Sequence, residues 1–182
     1  MFGVDCLHFN TNEFRLDPSS KWFNFKGNCA GLKYECAVSA RRPAVVWIRG
    51  PFPASVHDIT IFRGGKPDQE KEDWDQSALY FKMQELGGGK KAIGDSGYAG
   101  EPDLVITKKR GQSADYKKIL DRILQREETL HVRMKAFNVL GTQFHHGKST
   151  ADKIESHGHC FKAVTVLIQY DYENDRPPFQ VR

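Results

Sequence analysis

From Asp115 onward the apolar residues recur at helical spacing over two long stretches. Tyr116, Ile119, Ile123, Leu130, Met134 and Phe137 make one stripe, which Gly141 ends. Phe161, Val164, Leu167 and Ile168 make a second, on a helix running from about His159 to Tyr172. An amphipathic helix must bury its stripe, so the chain has to offer these two helices a broad apolar surface. The first half supplies strands for it. Phe2 to Phe9 alternates loosely and carries Asp5 within it. Leu32–Val38 and Ala44–Ile48 are rich in β-branched and aromatic residues, with Arg41-Arg42-Pro43 as a hairpin turn between them.

The remaining punctuation predicts short elements. Gly50 to Pro53 is expected to end strand pairing, because proline cannot donate to a ladder. Ser55 is a candidate N-cap for a helix over Val56–Phe62. Lys66 to Asp75 is polar enough for a surface loop, and Ser77–Leu86 reads as a helix closed by Gly87-Gly88-Gly89. Short strands over Lys91–Gly94 and Asp103–Thr107 follow, the first presenting Asp95 at its end. A three-stranded meander followed by alternating elements predicts a mixed α/β sheet flanked by helices, in one domain over residues 1–182.

Composition narrows the class. With 39 % hydrophobic and 27 % charged residues the chain is globular rather than disordered. No apolar run is long enough to span a bilayer, and the acid at position 5 does not suit a signal peptide. Cys6, Cys29, Cys36 and Cys160 form no CxxC pair and read as reduced thiols of an intracellular protein. A net charge of +4 suits a polyanionic partner, but enzymes of small metabolites share it, so charge alone decides nothing.

Three acidic features stand out: Asp5 inside the first strand, Asp95 in the turn GDSGY, and the pair Glu127-Glu128 on the long helix. Carboxylates converging at one end of a sheet suit Mg²⁺ or Mn²⁺, which take oxygen ligands. Each acid also has a plain explanation. A strand Asp can face solvent, GDSGY can be a simple turn, and adjacent helical glutamates usually form a solvated face. A zinc site from His145, His146, His157, His159 and Cys160 is a further option, because HGHC offers softer donors. The acids by themselves suggest a metal site without establishing one.

Six segments resemble the DDE superfamily endonucleases of the PIF/Harbinger transposon group, particularly its divergent protist and oomycete versions. In order they are GVDCLHF, KWFNFKGNCAGLKYE, VVWIRGPFPASVHDITIFR, AIGDSGYAGEP, REETLHVRMKAFNVL, and the set His157, Phe161, Ala163-Val164 and Gln169. The resemblance covers nearly the whole chain. It implies an RNase H-like fold and assigns catalytic, metal-binding roles to Asp5, Asp95 and Glu128, with Asp58 as an auxiliary ligand. Two divalent cations (Mg²⁺ or Mn²⁺) are implied, driving cleavage of DNA phosphodiester bonds and transposition. The family motif selects Glu128, whereas the helical stripe brings Glu127 nearer the apolar face. Asp58 can alternatively cap its helix or pair with Arg63. Where the family has Gly after the first Asp and a second acid, this chain has Cys6 and His8.

The resemblance also implies DNA as partner and the nucleus as location. Lys108, Lys109, Arg110, Arg126, Arg133 and Lys135 are candidate phosphate contacts, or else a solvated helix face and loop. The family has a helical DNA-recognition element before this region; the expectation is either a truncated copy or incomplete gene model that omits it, or a separate DNA-binding partner that supplies it. A catalytically silent, domesticated relative that binds DNA or protein is the alternative; retention of all three carboxylates speaks against it.

Overall fold

The computed structural model describes residues 1–87, 89–174 and 176–178. Strands β1 (Phe2–Asn10), β2 (Phe23–Asn24), β3 (Cys29–Ser39) and β4 (Val45–Pro53) come first, then helices α1 (Asp58–Arg63) and α2 (Leu79–Glu85). Strands β5 (Ala92–Ile93) and β6 (Val105–Ile106) precede helices α3 (Ala114–Ala136), α4 (Asn138–Gly141) and α5 (Thr150–Glu173). β1 pairs antiparallel with β3 from Phe2↔Ser39 to Asn10↔Gly31, and β4 pairs antiparallel with the far side of β3. On its other edge β1 pairs parallel with β5, which pairs parallel with β6. The order β4-β3-β1-β5-β6, with β2 on the start of β3, makes the mixed, RNase H-like sheet that the sequence predicts.

β1 is central and covered on both faces. Leu7 and Phe9 join Leu32, Tyr34, Leu130, Met134, Phe161 and Ile168 in a core beneath α3, α4 and α5. Val4 belongs to the opposite core with Phe62, Leu79, Met83 and Tyr98, beneath α1 and α2. Burial on both sides leaves β1 little room for polar residues, so an acid in it needs a reason.

Several boundaries differ from expectation. β4 runs on through the prolines, pairing Phe52 with Lys33 and Pro53 with Leu32. Among the described strands β4 pairs β3 alone, and an edge strand tolerates proline where its missing N–H needs no partner. Ser55 caps nothing: its N–H donates to Lys21 O, the Val56 N–H turns back to Pro53 O, and α1 starts later, after His57. Of the glycine run after α2, Gly88 lies outside the described residues. The stripe expected on α3 starts too early, since Tyr116 and Ile119 are exposed and the buried face begins at Leu120. The helix ends at Ala136, and Gly141 closes the separate turn α4.

α5 begins nine residues before the predicted start. Its first turns carry their inward positions on polar groups, so apolar periodicity says nothing there. Lys153 is buried, its Nζ donating to Asn12 Oδ1 (2.8 Å) and to Glu13 O (3.1 Å). The available signal was Ser149, whose Oγ accepts from Asp152 N–H as an N-cap. His157 is fully buried against Tyr34, Phe9 and Phe144, and its Nδ1 lies 2.8 Å from the Tyr34 hydroxyl. It is a core residue. Among the described residues His145, His146, His157, His159 and Cys160 are not brought together as a metal-binding group.

Burial lowers the pKa of His157 from 6.5 to about 4. Below pH 6.5 the unfolded chain takes up a proton that the folded chain refuses, so this contribution is whole above 6.5 and is lost as pH falls towards 4. It amounts to roughly 2 kcal/mol between pH 7 and pH 5. His157→Phe should flatten the pH dependence of urea-unfolding stability over that range relative to the parent. An unchanged slope would show that His157 is not held neutral.

Candidate metal centre

β5 stops at Ile93, and this opens the site. The parallel register Gly3↔Ile93 leaves Asp5 and Asp95 each two residues further on, Asp5 still in its strand and Asp95 beyond the end of β5. There the chain turns into a single 3-10 turn, Ser96–Tyr98, and Asp95 Oδ1 accepts from Gly97 N–H at 2.7 Å. Asp95 is therefore a turn cap as well as an exposed acid at the sheet end. A Cβ built on Gly97 would meet Asp95 Oδ1 at 2.9 Å and Asp58 Oδ2 at 3.3 Å, so these two carboxylates flank the same glycine. Asp58 neither caps α1 through its side chain nor pairs with Arg63. Its Oδ1 pairs with buried Lys33 (2.8 Å), while Arg63 pairs with Glu101.

Glu127 and Glu128 separate cleanly. The ladder between β3 and β4 shifts register at Ala37/Val38, and the Val38 N–H donates to Glu127 Oε1 at 2.6 Å. Glu127 is buried against Gly3, where a Cβ would lie 2.9 Å from that same oxygen. Burial drives its pKa well above the ordinary carboxyl value. The stripe was therefore right about which glutamate faces the sheet, but that glutamate is packed into the sheet, not open to a ligand. Glu128 is exposed, one position around the helix.

His131 stands between Glu128 and Asp5. Its Nε2 is 3.8 Å from Asp5 Oδ2, and its Nδ1 is 3.8 Å from Glu128 Oε2. One donor atom from each of Asp5, Glu128 and His131 lies within 4.8 Å of the others. Asp95 is outside that tight group and is coupled to Asp5 by charge. Sequence reasoning missed His131. The signal was its place three residues after Glu128, which puts both on one helix face.

Electrostatics marks Asp5 as the centre. Its pKa rises to about 7, chiefly through burial, with further increments from Asp95, Asp58 and Glu128; the Cys6 N–H, donating at 2.7 Å, opposes the rise. His131, the base within ion-pair range of Asp5, is itself pushed down to about 4, mainly by burial, and so supplies no positive charge. Its Nε2 is buried without a hydrogen-bond partner. Two carboxylates, Asp5 and Glu128, beside a neutral imidazole with an orphaned nitrogen form a donor set that fits a divalent cation.

Cys6 does not disturb this arrangement. Strand alternation turns it to the other face, where its Sγ lies 3.5 Å from the Tyr98 hydroxyl. Glu35 is a second buried acid that sequence reasoning missed, its Oε2 accepting from the Trp47 indole at 2.8 Å and its pKa raised by burial to about 7. Arg126 was expected among phosphate contacts, but it is buried, and its guanidinium donates to Arg42 O at 2.9 Å. Arg133 donates to Arg176 O and Pro177 O, and Lys108 pairs with Asp121. Lys109, Arg110 and Lys135 are exposed.

The sheet order, with a strand acid beside an acid at the next strand's end and a helical glutamate beyond, is that of an RNase H-like fold. More narrowly, the chain belongs to the DDE superfamily endonucleases, whose family model matches residues 4–169. No curated protein and no solved structure matches it.

Gly3→Ala should force the Glu127 carboxyl off β1 and destabilise the fold by about 1–3 kcal/mol. Urea unfolding checks this, and an unaltered midpoint would show that Glu127 is not wedged there.

Proposed function

We propose that this domain is the nuclease core of a PIF/Harbinger-type transposase, cutting DNA phosphodiester bonds with two divalent cations. The observation that carries the reading is the set of acids around the half-buried Asp5, mutually repelling, with a neutral histidine between Asp5 and Glu128. Asp5, Glu128 and His131 would hold one cation, and Asp5 with Asp95 the other, with Asp58 as an auxiliary ligand. Bound there, Mg²⁺ or Mn²⁺ would neutralise charge on the phosphate and make water a stronger nucleophile.

The protein's own groups do the rest. Asp5 accepts from the Cys6 N–H, so its carboxylate is oriented before any ligand arrives. The Gly97 N–H holds Asp95 in the same way. Lys33 pairs with Asp58 at 2.8 Å and would yield that carboxylate to a cation. Lys109, Arg110 and Lys135 are the exposed cations best suited to strand phosphates. The nucleus, and a separate partner that recognises the transposon ends, follow from the same reading.

The purified protein should nick DNA with Mn²⁺ or Mg²⁺, and Asp95→Asn should reduce the rate by about 10²-fold or more. Undiminished nicking by that variant would end the assignment.

A nitrogen donor favours Mn²⁺ over Mg²⁺. Titration followed by Mn²⁺ electron paramagnetic resonance should show Glu128→Gln and His131→Ala weakening Mn²⁺ binding by about tenfold or more, while Glu127→Gln leaves it intact. Binding lost only in Glu127→Gln would move the ligand by one residue.

A further inference from the structure

An aromatic ring stands unburied at the mouth of the acidic cleft. Phe25 is 77 % exposed and follows Asn24, whose Oδ1 accepts from the Lys26 N–H. Asn28 adopts a left-handed conformation (φ 50°) in the same turn. The loop therefore has a defined form that holds the ring outward, with the ring of Phe23 edge-on at 5.1 Å.

Phe25 is a wall shared by two cavities. On one side is a groove of about 500 Å³ lined by Phe14, Pro18, Trp22, Phe23 and Arg15, in which Phe14 and Trp22 stack at 4.2 Å. On the other is the cleft of about 310 Å³ that holds Asp58 and Asp95, with His8, Lys26 and Lys33. An apolar groove of this size admits a flat heterocycle. Arg15 and Lys26, one on each side of the ring, offer charge to a strand passing between the cavities.

We propose that Phe25 and the groove behind it form a stacking site for one unpaired nucleobase of the DNA strand whose phosphate enters the acidic cleft. This rests on the nuclease reading above. An unpaired base is the occupant because a base within a duplex hides its faces against its neighbours, whereas an unstacked base presents a whole face to an aromatic ring. Glu13 also lines the groove, and it suits the uncharged base there better than a phosphate. The site would make cleavage favour frayed or single-stranded ends without reading their sequence.

The test uses the full chain in Ca²⁺ and two DNA probes, a blunt duplex and the same duplex with a short single-stranded tail carrying 2-aminopurine at the junction. The parent should bind the tailed probe more tightly and quench its fluorescence. Phe25→Ala should lose about tenfold in affinity for the tailed probe, together with the quenching, and should keep the affinity for the blunt duplex. Phe25→Trp should restore both. The proposal is overturned if Phe25→Ala binds and quenches the tailed probe as the parent does while blunt-duplex binding persists. A parent that binds neither probe would instead defeat the nuclease reading, and the stacking site with it.

Discussion

The contact between the Glu127 carboxyl and the sheet sets the phase of α3, and the acidic centre depends on that phase. Glu127 lies in the space that Gly3 leaves open and accepts from the Val38 N–H, which the irregularity between β3 and β4 makes available. With that residue turned inward, the residue after it points along the sheet edge, and the residue one turn on points at Asp5. Glu128 and His131 occupy those two positions. A buried carboxyl is a costly anchor unless it is hydrogen-bonded, and here the strand backbone supplies the donor.

Asp5 is the other half of the arrangement. Its strand is central and covered on both faces, so its carboxyl is poorly solvated, and three further carboxylates surround it. Ordinary folds relieve such a site with lysine or arginine. Here Lys33 is engaged with Asp58, and the base beside Asp5 is an uncharged histidine. The missing positive charge is what the proposed cation would supply.

The cleft is asymmetric in its surroundings. On the α3 side Asp5 and His131 are half-buried, Glu128 is exposed, and all three are held by helix and sheet. On the other side Asp58 and Asp95 stand among loops, next to the aromatic turn carrying Phe25. Rigid elements thus hold Asp5, Glu128 and His131, while the approach to them is made of turns whose shape is set by local hydrogen bonds, the Lys26 N–H to Asn24 and the Gly97 N–H to Asp95.

Much of this is legible in the amino-acid sequence. The strand character of β1 and β3, the acid after β5 and the two long helices follow from residue pattern, because those elements bury apolar side chains at a regular period. The family motif singled out Asp5, Asp95 and Glu128. Periodicity could not say what a buried polar residue meets, and the differences lie there. The stripe placed Glu127 towards the sheet, yet only the packing against Gly3 makes it an anchor. Arg126 looked like a surface cation and is buried on the Arg42 carbonyl, and the first turns of α5 were silent because Lys153 and His157 point inward. His131 acquired significance only when β1 and α3 were brought together. A sequence records which side chains prefer to leave water, and tertiary structure decides which polar groups leave with them and what they find.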